Sequence, residues 1–134
     1  RCLSRGLGDV YKRQDYYKDI SNDLLKSTLN NLNKKHYSIK ILKVPGVFEI
    51  PVTISRNINK YNGFIALGCV IKGQTPHFDF ISQSATDAIM KLSISSKKPI
   101  GNGIITCLNK KQAIARGKKG LEASEAVKVV LTNK

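Results

Sequence analysis

Apolar residues recur along this chain with two different periods. Over residues 19–35 the period is helical: Ile20, Leu24, Leu25, Thr28, Leu29 and Leu32 fall along one face. Asp19 or Ser21 can cap that helix, and Lys34 and Lys35 suit the negative end of its dipole. Residues 38–44 alternate, with Ile39, Ile41 and Lys43 on one side, as in a strand near a sheet edge. Pro45-Gly46 turns the chain. A second helix over residues 49–59 carries Val52, Ile54 and Ile58 behind Phe48, and it starts near Glu49 because Pro51 is tolerated only in a first turn. Phe64–Ile71 is apolar throughout, which predicts a strand covered on both faces. Helical spacing returns over residues 78–95, with Ile81, Ala85, Ala88, Ile89 and Leu92 inward, and Lys97-Lys98-Pro99 ends it. A further strand over residues 100–108 is interrupted by Gly101-Asn102-Gly103. A short helix capped by Asn109 runs to Ala115, a basic turn spans residues 117–120, and a last helix occupies residues 121–131.

The predicted order is therefore α-β-α-β-α-β-α-α. Alternation of this kind implies an α/β fold with a parallel sheet sandwiched between helices. Three strands are few for such a sheet, so a fourth is expected before Asp19. Residues 1–14 do not supply a recognisable one. They hold three of the five arginines and two glycines, and Leu3, Leu7 and Val10 fit neither a strand nor a helix. Two alternatives stand for this atypical segment: a disordered tail, or a non-native piece joined to a truncated domain. The remainder, residues 15–134, is one domain.

Composition narrows the function classes. Hydrophobic content of 41% and charged content of 24% are ordinary for a globular protein. No apolar run approaches the roughly 20 residues of a membrane helix, and no signal peptide is legible. Cys69 and Cys107 lie in apolar strands, as reduced core thiols of a cytoplasmic protein do. The formal charge of +14 raises nucleic acid as a partner. However, no lysine run exceeds two residues, no aromatic platform is interleaved, and only five of the 23 basic residues are arginine. A solvated lysine surface that attracts small anions fits better.

Candidate chemistry concentrates where the central strand ends. Gly68-Cys69-Val70-Ile71-Lys72-Gly73-Gln74-Thr75-Pro76-His77-Phe78-Asp79 passes from an apolar strand through a glycine turn into a helix. Open α/β sheets bind ligands at such strand ends, and the free N–H groups of a helix start favour anions. A histidine beside that seat can move protons near neutral pH. No His, Cys, Asp and Glu are spaced as metal ligands. Taken alone, a histidine at a helix start is more often a cap or a surface residue, and an arginine on a short helix is as often merely solvated.

Three stretches, in order, resemble the 6,7-dimethyl-8-ribityllumazine synthase family. They are Val44-Pro45-Gly46-Val47-Phe48-Glu49-Ile50-Pro51, the Gly68 to Asp79 corner, and Asn102-Gly103-Ile104-Ile105-Thr106 with Gln112-Ala113-Ile114-Ala115-Arg116. Lys119-Gly120-Leu121-Glu122-Ala123 adds to them, and the resemblance covers residues 15–134. It implies a flavodoxin-like three-layer fold with a four-stranded parallel sheet. It implies a transferase of riboflavin biosynthesis, in which 5-amino-6-ribitylaminouracil condenses with 3,4-dihydroxy-2-butanone 4-phosphate and releases phosphate and water. No cofactor and no metal are implied. The expected assembly is a homopentamer or larger shell with each active site between neighbouring subunits, the other readings being a catalytically impaired shell-forming homologue or a basic nucleic-acid binder.

The resemblance also assigns residues. His77 matches the proton-transfer histidine, with Asp79 placed to orient it. Gly73, Gln74 and Thr75 match the phosphate loop, and Arg116 the arginine that completes it. Val47, Phe48 and Glu49 match the ribityl-pyrimidine site, and Cys69, Val70 and Ile71 the strand edge that reads the uracil ring. Tyr16 falls where the family places an aromatic, Asn102 stands at a position often aromatic, and Lys119 matches a lysine near the bound intermediate. Two departures stand out. Residues 1–14 do not resemble the family's first strand, and only Gly117-Lys118 separate Arg116 from Lys119, where the family has several more residues.

Overall fold

Four parallel strands form one sheet in the order β2-β1-β3-β4: β1 (Cys2–Gly6), β2 (Lys40–Val44), β3 (Phe64–Ile71) and β4 (Ile100–Cys107). The helices are α1 (Gln14–Asn31), α2 (Ile50–Arg56), α3 (His77–Ser96), α4 (Lys110–Ala115) and α5 (Lys119–Thr132), with a 3₁₀ turn at Val47–Glu49. This computed structural model describes residues 2–6, 14–32, 37–71, 77–108, 110–116 and 119–133.

Strand β3 explains the layering. Its side chains alternate between two buried clusters, as a two-sided apolar strand must. Ile65, Leu67 and Cys69 pack with Ile20 and Leu24 of α1, Ile105 and Cys107 of β4, and Ala123 and Val127 of α5. Phe64, Ala66 and Val70 pack on the other side with Val47, Ile50 and Ile54 and with Ala85 and Ile89 of α3. Helices α1 and α5 thus cover one face and α2 and α3 the other. The three-layer architecture expected from the alternating pattern is the one observed.

The first strand corrects the sequence expectation. Cys2–Gly6 pairs with both neighbours at once: Ser4 lies opposite Leu42 of β2 and Ala66 of β3. Its composition carries little strand propensity. The slot between β2 and β3 supplies what the residues do not, because both flanking strands offer unpaired N–H and C=O groups there. Helix α1 likewise starts earlier, at Gln14, so Asp19 and Ser21 lie inside it rather than at its cap, and it ends at Asn31, while Lys34 and Lys35 lie outside the described residues.

Strand β4 is a second correction, since it runs unbroken through Gly101-Asn102-Gly103. Those glycines are close approaches, not breaks. A Cβ on Gly101 would strike the Ala123 carbonyl of α5 and come within 2.9 Å of Val127 Cγ2. Helix α5 also begins two residues early, at Lys119, inside the stretch expected to be a turn.

Candidate functional site

In a parallel sheet all strands finish at one end. Here the exits of β2, β3 and β4 carry the candidate residues. Beyond β2, Gly46 and Glu49 close the 3₁₀ turn through a Glu49 N–H to Gly46 C=O bond of 3.2 Å. Pro51 then stands in the first turn of α2, where its missing N–H costs nothing. This turn buries Val47, half-buries Glu49 and leaves Phe48 61% exposed, and it packs against β1, β3 and α3. A large aromatic held this far out of the core has no structural task that its packing accounts for.

At the end of β3, Cys69 and Val70 are buried, and Ile71 is the last ladder residue, opposite Cys107. Gly73, Gln74 and Thr75 lie outside the described residues. His77 is the first residue of α3, so its backbone stands at the helix mouth as expected, and Asp79 is exposed in the same first turn. Tyr16 lies in the first turn of α1.

The end of β4 has the most detailed chemistry. Leu108 N–H donates to Gln112 Oε1 at 2.8 Å, and Arg116 N–H donates to the Gln112 carbonyl at 3.0 Å. Arg116 Nη1 then reaches back to the Thr106 carbonyl at 2.7 Å. Burial pushes the Cys107 pKa up, with the arginine's charge pulling against it. Cys69 is pushed up to about 12, by burial first and by the neighbouring Cys107 second. Both thiols are therefore neutral at physiological pH, and neither is poised as a nucleophile. Arg116 itself is exposed, so the donors not used on Thr106 can meet a ligand.

Two further candidates lie on α5 and on β4. Lys119 N–H donates to the Arg116 carbonyl at 3.1 Å, which sets its backbone beside that of the arginine. Its ammonium is paired with Glu122 at 2.8 Å. Asn102 is exposed on β4 with its Oδ1 accepting from Ile104 N–H at 3.1 Å. It lies four residues before Thr106, about 13 Å back along the strand. Among the described residues no group of three or more His, Cys, Asp and Glu could hold a metal, and no helix is long and apolar enough to cross a membrane. Sequence reasoning missed Gln112 as a contributor. The available signal was a glutamine one helical turn before the arginine, next to a strand end.

The family model for 6,7-dimethyl-8-ribityllumazine synthase matches residues 13–133. The chain belongs to that family. Individual lumazine synthases agree. The 6,7-dimethyl-8-ribityllumazine synthase of Bartonella bacilliformis is 42% identical over 109 residues, covering 78% of this chain and 72% of that protein. The one from Agrobacterium fabrum is 39% identical over 108 residues, covering 75% and 73%. The one from Renibacterium salmoninarum is 35% identical over 122 residues, covering 90% and 76%. The lumazine synthase match opens at residue 13, so β1 lies outside it and α1 to α5 lie within it.

Proposed function

We propose that this chain condenses 5-amino-6-ribitylaminouracil with 3,4-dihydroxy-2-butanone 4-phosphate to give 6,7-dimethyl-8-ribityllumazine, releasing phosphate and water. The observation that carries this is Arg116, an exposed arginine tied to the end of β4 in a chain of this family. A fork-shaped cation held at a strand end is suited to a phosphate monoester. Gly73, Gln74 and Thr75 complete the phosphate seat. Val47, Phe48 and Glu49 hold the ribityl-pyrimidine. The edge at Cys69, Val70 and Ile71 reads the ring, with Tyr16 bordering it, Asn102 supplied from β4 of the neighbouring copy, and Lys119 near the bound intermediate.

The attacking group is the substrate's own amine. It adds to the ketone of the four-carbon phosphate and loses a first water to form an imine; phosphate is then eliminated, and the ribitylamino nitrogen closes the second ring on the remaining carbonyl with loss of a second water. These steps need protons carried to and from oxygen and nitrogen, which His77 supplies with Asp79 orienting it. The protein's main contribution is to hold two small molecules in register, an effect worth up to about 7–11 kcal/mol. The reaction as written uses no metal and no organic cofactor.

Each site is completed by a second copy in a homopentamer or larger shell. Phe48 follows β2 and Asn102 lies on β4, the two outer strands of the sheet. Three strand spacings separate those edges, about 14 Å. Side-by-side copies would set one chain's β4 flank against the next chain's Phe48 turn, and a repeated contact of that kind makes a ring when the rotation between copies divides a full turn. Exposed Phe48 and Val52 gain cover in that arrangement. The compartment is the cytoplasm.

Mixing the protein with both substrates and following lumazine absorbance tests the assignment: product must appear faster than in buffer. His77→Ala is expected to lower kcat roughly 10²- to 10⁴-fold. Unchanged turnover in that variant removes histidine from proton transfer.

A further inference from the structure

We propose that Gln112 is a positioning residue that sets Arg116 for the substrate phosphate. This rests on Arg116 being the phosphate-binding group. Helix α4 has only six residues, Lys110–Ala115, too few to be stable by itself, so external ties fix its orientation. Gln112 makes one of them with its side chain and also carries the helix's own i→i−4 bond to Arg116. Its side-chain Oε1 takes the N–H of Leu108, the residue just after β4, and its main-chain carbonyl takes the N–H of Arg116. Arg116 closes the circuit by donating Nη1 to the Thr106 carbonyl. Strand end, glutamine, arginine and strand end thus form one hydrogen-bonded loop. A guanidinium placed this way reaches the phosphate with less loss of side-chain freedom than one on an untied turn.

Gln112→Leu keeps the side chain's bulk and removes the acceptor. The expected result is a rise of roughly five- to tenfold in the KM for the phosphorylated substrate and in the inhibition constant of inorganic phosphate, the scale of one net hydrogen bond. The KM for the pyrimidine moves less than twofold, and the loss falls on KM rather than kcat. In an Arg116→Ala background the same change adds nothing, because there is no guanidinium left to place. Gln112→Ala carries the same expectations should the leucine variant fail to assemble. A Gln112 variant indistinguishable from the parent, while Arg116→Ala weakens phosphate, overturns the inference alone. So does an equal loss for both substrates that persists without Arg116. If Arg116→Ala leaves phosphate inhibition untouched, the assignment of Arg116 itself fails, and this inference with it.

Discussion

Gly120→Ala sets two effects of opposite sign against each other. Gly120 is the second residue of α5 and is buried where that helix crosses α1. Helix propensity alone favours alanine by about 1 kcal/mol. Sterically, the added Cβ would collide with Thr28 Oγ1 and the Leu24 carbonyl, and would lie 2.7 Å from Ser27 Oγ. The carbonyl belongs to the α1 backbone and cannot rotate away. Both hydroxyls donate to that same carbonyl, Thr28 at 2.8 Å and Ser27 at 3.0 Å, so moving either one breaks a hydrogen bond. Overpacking of this kind costs about 1–3 kcal/mol, and each broken bond adds about 1 kcal/mol. Sterics should therefore win by about 2 kcal/mol. Urea unfolding followed by circular dichroism, at matched protein concentration, measures the difference. Ala126→Gly, at an exposed position of the same helix, isolates the propensity term. If Gly120→Ala proved as stable as the parent, α1 and α5 could not approach at this point.

Arg116→Ala should weaken the phosphorylated substrate roughly 10- to 100-fold and the pyrimidine far less, as expected for lost charge-assisted hydrogen bonds; equal losses for the two substrates would end the phosphate role. Cys69 binds its proton more tightly folded, near 12, than at its ordinary value of 9.0, so its contribution to stability is complete below pH 9 and is lost as pH rises toward 12. The unfolding midpoint of the parent should accordingly fall faster than that of Cys69→Ala across this window, and parallel slopes would contradict the burial. Removing residues 1–14 should abolish assembly, whereas another strand-forming pentapeptide in place of Cys2–Gly6 should keep it, because the slot beside β2 and β3 needs backbone partners more than these side chains. Light scattering distinguishes the outcomes, and a truncated chain that still assembles would show β1 to be dispensable.

Legibility followed length and periodicity. The stretches giving β3, α3 and most of α1 were plain, because eight or more residues of one period leave few alternatives. Strand β1 was not legible: Cys-Leu-Ser-Arg-Gly becomes a strand only when two other strands, distant in sequence, leave a gap of the right width. Gly101 and Gly103 misled for a related reason. A glycine letter signals either a turn or a close neighbour, and only the packing of α5 on β4 decides between them. The candidate site divided the same way. Short contiguous motifs marked the residues, while the groups that aim Arg116, a backbone carbonyl at Thr106 and the Gln112 amide, have no letter that announces their use.

The two arginines after residue 14 make the same point chemically. In the sequence Arg56 and Arg116 look alike, each a fork amid lysines. Arg56 closes the last turn of α2, where a cation complements the helix dipole and a lysine would serve equally. Arg116 stands one helical turn beyond a glutamine that grips the exit of β4, and its own guanidinium grips that exit too. An ammonium could make the single bond to Thr106, but it would then present one point charge in place of a planar pair of donors. With Arg116 as the proposed phosphate ligand, the demand for arginine at position 116 comes from two simultaneous tasks, holding to the strand and facing an anion. Arg116→Lys should accordingly keep the fold and still lose most of the phosphate affinity.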